Sequence, residues 1–162
     1  MDEKLVPESF CRSPFYEQGS VIKKGEDDRC FYYDLAFLFQ WDEKKPWEEK
    51  SETIVHYFAE WKSLKEKLAQ CYAERNRKKA RPFMIKAIAN FIDILFWTNG
   101  ARVGCLFSIV EDISCFRYKP INMEERISYI MEEIDHFHVF NQLKALYEEM
   151  EKIYYVSKIR KD

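Results

Sequence analysis

The chain has 162 residues, the length of one domain that can bury a sizeable core. Hydrophobic residues make up 47% and charged residues 33%, with only 4 glycines and 5 prolines, which excludes a disordered chain and disfavours a turn-rich β fold. The 26 lysines and arginines against 28 acids give a net charge of −2, so any contact with nucleic acid or an anionic membrane would have to be local.

Residues 1–27 are expected to be an irregular lead-in, because prolines and glycines interrupt them and no apolar period is sustained. Phe10, Phe15 and Tyr16 are its expected anchors. The start Met1-Asp2-Glu3-Lys4 lacks a signal-peptide pattern, and the five cysteines form no Cys-x-x-Cys pair. These features predict a cytoplasmic protein with free thiols.

Residues 28–160 are expected to form one helical domain. Asp27 or Asp28 can cap a first helix ending near Trp41, and Pro46 suits the start of a long second helix. Glu48 and Glu49 would then lie at the positive end of the dipole of that second helix. Its apolar residues are spaced three or four apart, as on one helical face: Ile54, Tyr57, Phe58, Trp61, Leu64, Leu68, Cys71 and Tyr72.

Pro82 is expected to break the chain before a central apolar helix from Phe83 to Trp97. That run is too short and too often interrupted by polar residues to span a membrane. A short helix near 106–113, one starting in a capping box at Asn122 and one capped by Asp135 follow. The prediction is an all-α, single-domain irregular bundle of five to six helices around the central helix.

The strongest local charge signal is a basic segment at residues 75–81, with five cations in seven residues. Such a density can neutralise several phosphates and bind nucleic acid in a salt-dependent way. The alternative is that cations at a helix C-terminus, just before Pro82, complement the helix dipole and solvate an exposed end. The candidate nucleic-acid-binding residues are Arg75, Arg77, Lys78, Lys79 and Arg81.

A second candidate surface combines large rings with a charged turn at residues 42–45. Its residues, Phe39, Trp41 and Trp47, have the composition of a protein-interaction surface, although simple core packing explains them too.

The sequence offers no catalytic constellation. It contains neither a phosphate-binding glycine loop nor a His-Glu-x-x-His motif, and His136 and His138 would point apart on a helix. We therefore expect no enzymatic activity, no cofactor and no metal.

Several short stretches resemble the YpoC-like family of small helical bacterial proteins. They are Tyr33-Asp34-Leu35, Trp41, Trp97, Asn99-Gly100, Tyr118-Lys119-Pro120-Ile121-Asn122, Glu125-Arg126, His138, Gln142-Leu143 and Glu151-Lys152. The family is uncharacterised and its genes often lie beside genes for DNA replication, DNA repair and cell-wall synthesis. The resemblance implies that Trp97, Asn99, Gly100, Lys119, Pro120 and Asn122 shape two helix ends and a loop, and it carries over no catalytic residues.

Two functional hypotheses follow from the sequence. The first is a non-enzymatic interaction or scaffold module whose partner is another protein or a second copy of the chain. The alternative is a nucleic-acid-binding accessory factor that uses the basic segment. Neither involves a membrane.

Overall fold

The computed structural model describes residues 2–48 and 52–160, and over these ranges the chain forms six α-helices. The predicted predominantly helical, single-domain fold is confirmed. The helices are α1 (Tyr32–Leu38), α2 (Glu52–Ala73), α3 (Arg77–Thr98), α4 (Ile109–Ser114), α5 (Met123–Glu132) and α6 (Phe137–Ile159).

The centre of the fold is α3, in which every residue from Ala87 to Thr98 is buried. A helix that is apolar all round needs neighbours on all sides, and α2 and α6 pack against it. Trp61 of α2 stacks on Tyr147 of α6 with ring centroids 4.1 Å apart, and the Tyr147 hydroxyl donates to the Ala87 carbonyl at 2.6 Å. The aromatic residues therefore join three helices, as their large buried area favours.

Helix α3 begins before Pro82, so the predicted break at this proline is wrong. The Asn76 side chain accepts a hydrogen bond from the Lys79 N–H at 3.1 Å, and the helix runs from Arg77. This cap starts the helix more than one turn ahead of Pro82.

The lead-in contains regular structure that its composition did not predict. Strands β1 (Glu3–Leu5) and β2 (Val21–Lys23) pair antiparallel, with Lys4 opposite Ile22. The expected anchors Phe10, Phe15 and Tyr16 are all buried. Three-residue strands are too short to show a period of two, so only the anchors could be predicted.

Two predicted helix starts differ in the structure. Helix α1 follows Phe31, which has a left-handed backbone (φ 59°), and neither Asp27 nor Asp28 caps it. Pro46 lies in a turn at 46–48 rather than in α2. Glu49, expected in the first turn of the second helix, lies outside the described residues.

The caps of the last two helices differ from the prediction in two ways. Asn122 precedes α5 with a left-handed backbone (φ 56°) and makes no capping bond with its side chain. His136, rather than Asp135, is the residue before α6. The predicted start at Asn122 is therefore confirmed without its side-chain cap, and α6 begins one residue later than predicted.

Candidate functional site

The basic segment lies at the N-terminus of α3, not at the C-terminus of α2. Arg75 sits in the connecting turn with a left-handed backbone (φ 55°), and the other four cations are in the first two turns of α3. All five side chains are exposed. The helix dipole is positive at this end, so it disfavours cations there. The dipole explanation considered for these residues is therefore wrong.

One acid partly neutralises the segment. Asp135 accepts from Arg81 Nη1 at 3.1 Å, and its other oxygen lies 3.7 Å from Arg77 Nε. Arg75, Lys78 and Lys79 form no salt bridge with any residue in the ranges 2–48 and 52–160. Three positive charges are thus left to attract an anion.

The basic segment borders an open groove that the sequence did not predict. We call it the basic groove; it is lined by Tyr72, Arg75, Arg77, His136, Phe137 and His138. Phe137 is 56% exposed and meets Tyr72 edge to face at a centroid distance of 5.5 Å. An exposed ring beside two arginines gives the groove both an apolar face and positive charge.

Two helix N-termini meet at this groove. Arg77 is the first residue of α3 and Phe137 the first of α6, and neither helix has an acid in its first turn. His136 has an extended backbone and does not cap α6 with its side chain. The free backbone N–H groups and positive dipole ends of both helices therefore add to the charge of the arginines.

Neighbouring contacts fix the shape of the groove. The Tyr72 hydroxyl donates to the Asp135 carbonyl oxygen at 2.6 Å, and burial raises the pKa of Tyr72 to about 12, so this donor keeps its proton at neutral pH. His136 Nε2 lies 2.9 Å from a Glu133 oxygen. The rings of His136 and His138 are 5.3 Å apart, because His136 precedes the helix; the expectation that they point apart is wrong.

The structure places the predicted interaction residues mostly inward. Trp47 is only 9% exposed, and Phe39 and Trp41 are half-buried with their ring centroids 5.0 Å apart. The ring of Trp47 packs edge to face on Phe37 at 5.4 Å. These three rings are therefore mostly packed against neighbouring side chains and do not form an open surface.

Two residues that the sequence did not indicate form the exposed part of this region. Phe37 and Leu38, at the end of α1, are each 40% exposed. The Arg102 guanidinium lies 4.7 Å and the Lys45 ammonium 5.8 Å from the Phe37 ring centroid. We call the set Phe37, Leu38, Phe39, Trp41 and Trp47 the aromatic corner. No sequence pattern could single out Phe37 as a surface residue of interest, because Arg102, which lies beside it, is far away in the chain.

The residues that carried the family resemblance make structural contacts. Asn99 ends α3: its amide nitrogen donates to the carbonyls of Leu95 and Tyr118, and its oxygen accepts from the Tyr118 N–H, all at 2.7–2.8 Å. Gly100 follows with φ 74°, a conformation that glycine adopts without strain. Lys119 donates to the Ile113 carbonyl at the end of α4 at 3.0 Å. These contacts agree with the implied role in shaping helix ends and a loop.

Known proteins with a similar sequence identify the family of the chain. A family model described as YpoC-like protein matches residues 51–162, more than half of the chain. The chain belongs to the YpoC-like family. The match extends over α2 to α6. The chain is also 29% identical over 148 residues to the uncharacterized protein YpoC of Bacillus subtilis (strain 168), an alignment that covers 91% of this chain and 89% of that protein. No solved structure matches.

Family membership confirms the resemblance and leaves the chemistry open, because the matched YpoC protein is itself uncharacterised. Within the described ranges, no group of three or more histidine, cysteine or acidic residues is arranged to hold a metal ion. Each helix in those same ranges is too short or too polar to cross a lipid bilayer.

Proposed function

We propose that this YpoC-like protein binds single-stranded nucleic acid in the basic groove. The observation that carries the proposal is the exposed Phe137 ring beside Arg75 and Arg77, where the N-termini of α3 and α6 meet. Sequence-tolerant single-strand binding combines such features: cations follow the phosphates while aromatic rings stack on bases. The proposed role is binding and includes no catalytic step.

The charge distribution of the protein supports nucleic-acid binding that is confined to the basic groove and moderate in affinity. The net charge of −2 provides no long-range attraction, so binding depends on the cations of residues 75–81. Three of them lack a salt bridge within the described residues, and two helix N-termini add partial positive charge. A phosphate backbone lying across these groups would replace water and counterions rather than protein contacts.

The exposed ring favours a single strand over a duplex. Bases in a duplex are stacked on each other, whereas an unpaired base offers its face to Phe137. Stacking on an aromatic ring contributes about 1–3 kcal/mol per base when measured by alanine substitution. The proposal therefore predicts tighter binding of single strands than of duplexes of the same sequence.

The test of this proposal is fluorescence anisotropy with a short labelled oligonucleotide, single-stranded and then annealed to its complement. Phe137→Ala should weaken single-strand binding by about 1–3 kcal/mol and change duplex binding little. Phe107→Ala is the matched control, since Phe107 is 57% exposed and does not line the groove. Equal losses for the two variants, or no binding by the wild type at low salt, would refute the proposal.

A second candidate function is protein binding, including self-association, at the aromatic corner. The observation that favours it is the pair of cations, Lys45 and Arg102, lying against the exposed Phe37 ring. Aromatic residues and arginine are enriched where proteins bind one another, and the cations would suit an acidic partner surface.

Sedimentation velocity over a range of protein concentrations tests the self-association form of this candidate. A concentration-dependent dimer that is lost in Leu38→Asp and kept in Ile121→Asp would support it, since Ile121 is also exposed but lies in the loop before α5. The same dimer in Leu38→Asp would place the contact elsewhere on the molecule.

A further inference from the structure

A pair of acids lies inside the core, where acids are rarely found. Asp34 of α1 and Asp93 of α3 are both 0% exposed. Asp34 Oδ1 accepts from Trp97 Nε1 at 3.1 Å and from the Val103 N–H at 2.9 Å. The other three carboxyl oxygens receive no hydrogen bond from the N–H and O–H groups of the described residues.

Asp93 lies one turn before Trp97 on α3, and Trp97 donates to Asp34, so the two carboxyl groups are neighbours close enough to share a hydrogen bond. Lys86 and Arg102 are near enough to act on them electrostatically, yet neither forms a salt bridge with them over residues 2–48 and 52–160. Two adjacent buried carboxylates without a paired cation are strongly unfavourable, because each loses its hydration and they repel each other. One group must be neutral, or a small cation must lie between them.

We infer that Asp34 and Asp93 share a single proton at neutral pH, and that loss of this proton weakens the attachment of α1 to α3. The Asp93 carboxyl donates to the unpartnered Oδ2 of Asp34, which stays ionised because Oδ1 already accepts two hydrogen bonds. The contact holds α1, and with it the aromatic corner, against the central helix. In contrast to an ordinary salt bridge, it weakens as the pH rises.

The direction of the pKa shifts agrees with this arrangement. Burial raises the pKa of both acids, and the neighbouring Asp34 charge raises that of Asp93 further, well above its ordinary value of 3.8. The titratable and charged groups around the pair come from the segment before α1, from α1 to α3, from the segment after α3 and from α6. They are Tyr16, Cys30, Tyr33, Tyr57, Glu60, Lys86, Arg102 and Tyr147.

The sign of the pH effect follows from proton uptake. Between its ordinary and its raised pKa, Asp93 holds a proton in the folded protein that it releases when the chain unfolds. The stability that the proton provides is therefore present at low pH and lost as the pH rises through the raised pKa. Asp93→Asn should remove this loss, because an amide N–H donates to Asp34 at every pH.

Infrared spectroscopy of the folded protein tests the inference directly, since a protonated carboxyl has a C=O stretch separate from that of a carboxylate. At neutral pH the wild type should show one protonated-carboxyl band that disappears in Asp93→Asn and remains in Glu111→Gln, which changes an exposed acid. A folded wild type without this band would overturn the inference. Stability that falls when a chelator is added or alkali ions are removed would overturn it too, because a cation would then occupy the place of the proton.

Amide hydrogen exchange tests the link to α1. Relative to Asp93→Asn at the same pH, the wild type should lose protection in residues 35–39 as the pH rises, while α2 and α6 keep theirs. If Asp93→Asn does not fold, Asp34→Asn serves as the reference, because its amide can donate to Asp93. Equal loss of protection in all helices would mean that the proton does not act on α1.

Discussion

Asn99 shows how one side chain can hold two parts of this fold together. Its three hydrogen bonds connect the end of α3 to the backbone of Tyr118, nineteen residues further along the chain. The sequence identified Asn99-Gly100 as a helix end, because both residues tolerate left-handed backbone. It could not identify Tyr118 as the partner, since a local pattern contains no long-range contacts.

Replacing Asn99 with alanine should therefore destabilise the protein by about 1–2 kcal/mol, because a partly buried N–H and two carbonyls lose their partner. Urea unfolding followed by circular dichroism measures the change. Asn141→Ala is the control, since Asn141 is exposed on α6. Similar losses for both variants would contradict the assigned role of Asn99.

Asp135 is the residue that limits the positive charge of the basic groove. Asp135→Asn keeps the backbone carbonyl that Tyr72 uses, but it releases Arg77 and Arg81 from their shared acid. Single-strand affinity should then rise about threefold to tenfold at low salt, with a steeper salt dependence. Anisotropy titrations of this variant and of Glu111→Gln provide the comparison. Unchanged affinity in Asp135→Asn would mean that the two arginines do not contact the ligand.

At the scale of helices, the sequence predicted where α2, α3 and α6 run, and it failed at their starts. The apolar residues from Ile54 to Cys71 repeat over several turns, so α2 could be placed by its face. The start of α3 depends instead on one capping contact by Asn76. Pro82 suggests a break and so places the basic segment at the C-terminus of α2, whereas the structure places it at the N-terminus of α3.

Pro82 lacks the N–H that its position in α3 would use, so its cost to the helix can be measured. Pro82→Ala should stabilise the protein by about 1–2 kcal/mol, since helix propensity gains more than the freer unfolded chain loses. Urea unfolding monitors the change, and Ser63→Ala, at an exposed site of α2, gives the scale of an ordinary surface substitution. A destabilised Pro82→Ala would indicate that the ring contributes packing that outweighs the missing hydrogen bond.

At the scale of the whole molecule, most aromatic side chains are in the core, and the proposed binding surface is small. Composition predicted the helical class, because few breakers and many charges favour helices. It could not predict the basic groove, which brings Arg75 and Phe137 together from parts of the chain 62 residues apart. Nor could it predict that Asp34 and Asp93 meet, since each lies in an ordinary helical pattern on its own.

Phosphate binding by the cations of the basic segment is central to the proposed function. The most direct measurement is the slope of the logarithm of the association constant against log salt for single-stranded DNA, from about 50 to 200 mM. Three phosphate contacts predict an association slope of about −2 for the wild type. In the combined variant Arg75→Gln, Lys78→Gln, Lys79→Gln the slope should fall towards zero.

The control variant Lys62→Gln, Lys65→Gln, Lys152→Gln removes the same charge from exposed positions on α2 and α6, away from the groove, and should keep the wild-type slope. If both variants change the slope equally, or if the basic-segment variant binds as the wild type does, the cations of the basic segment do not bind the phosphates.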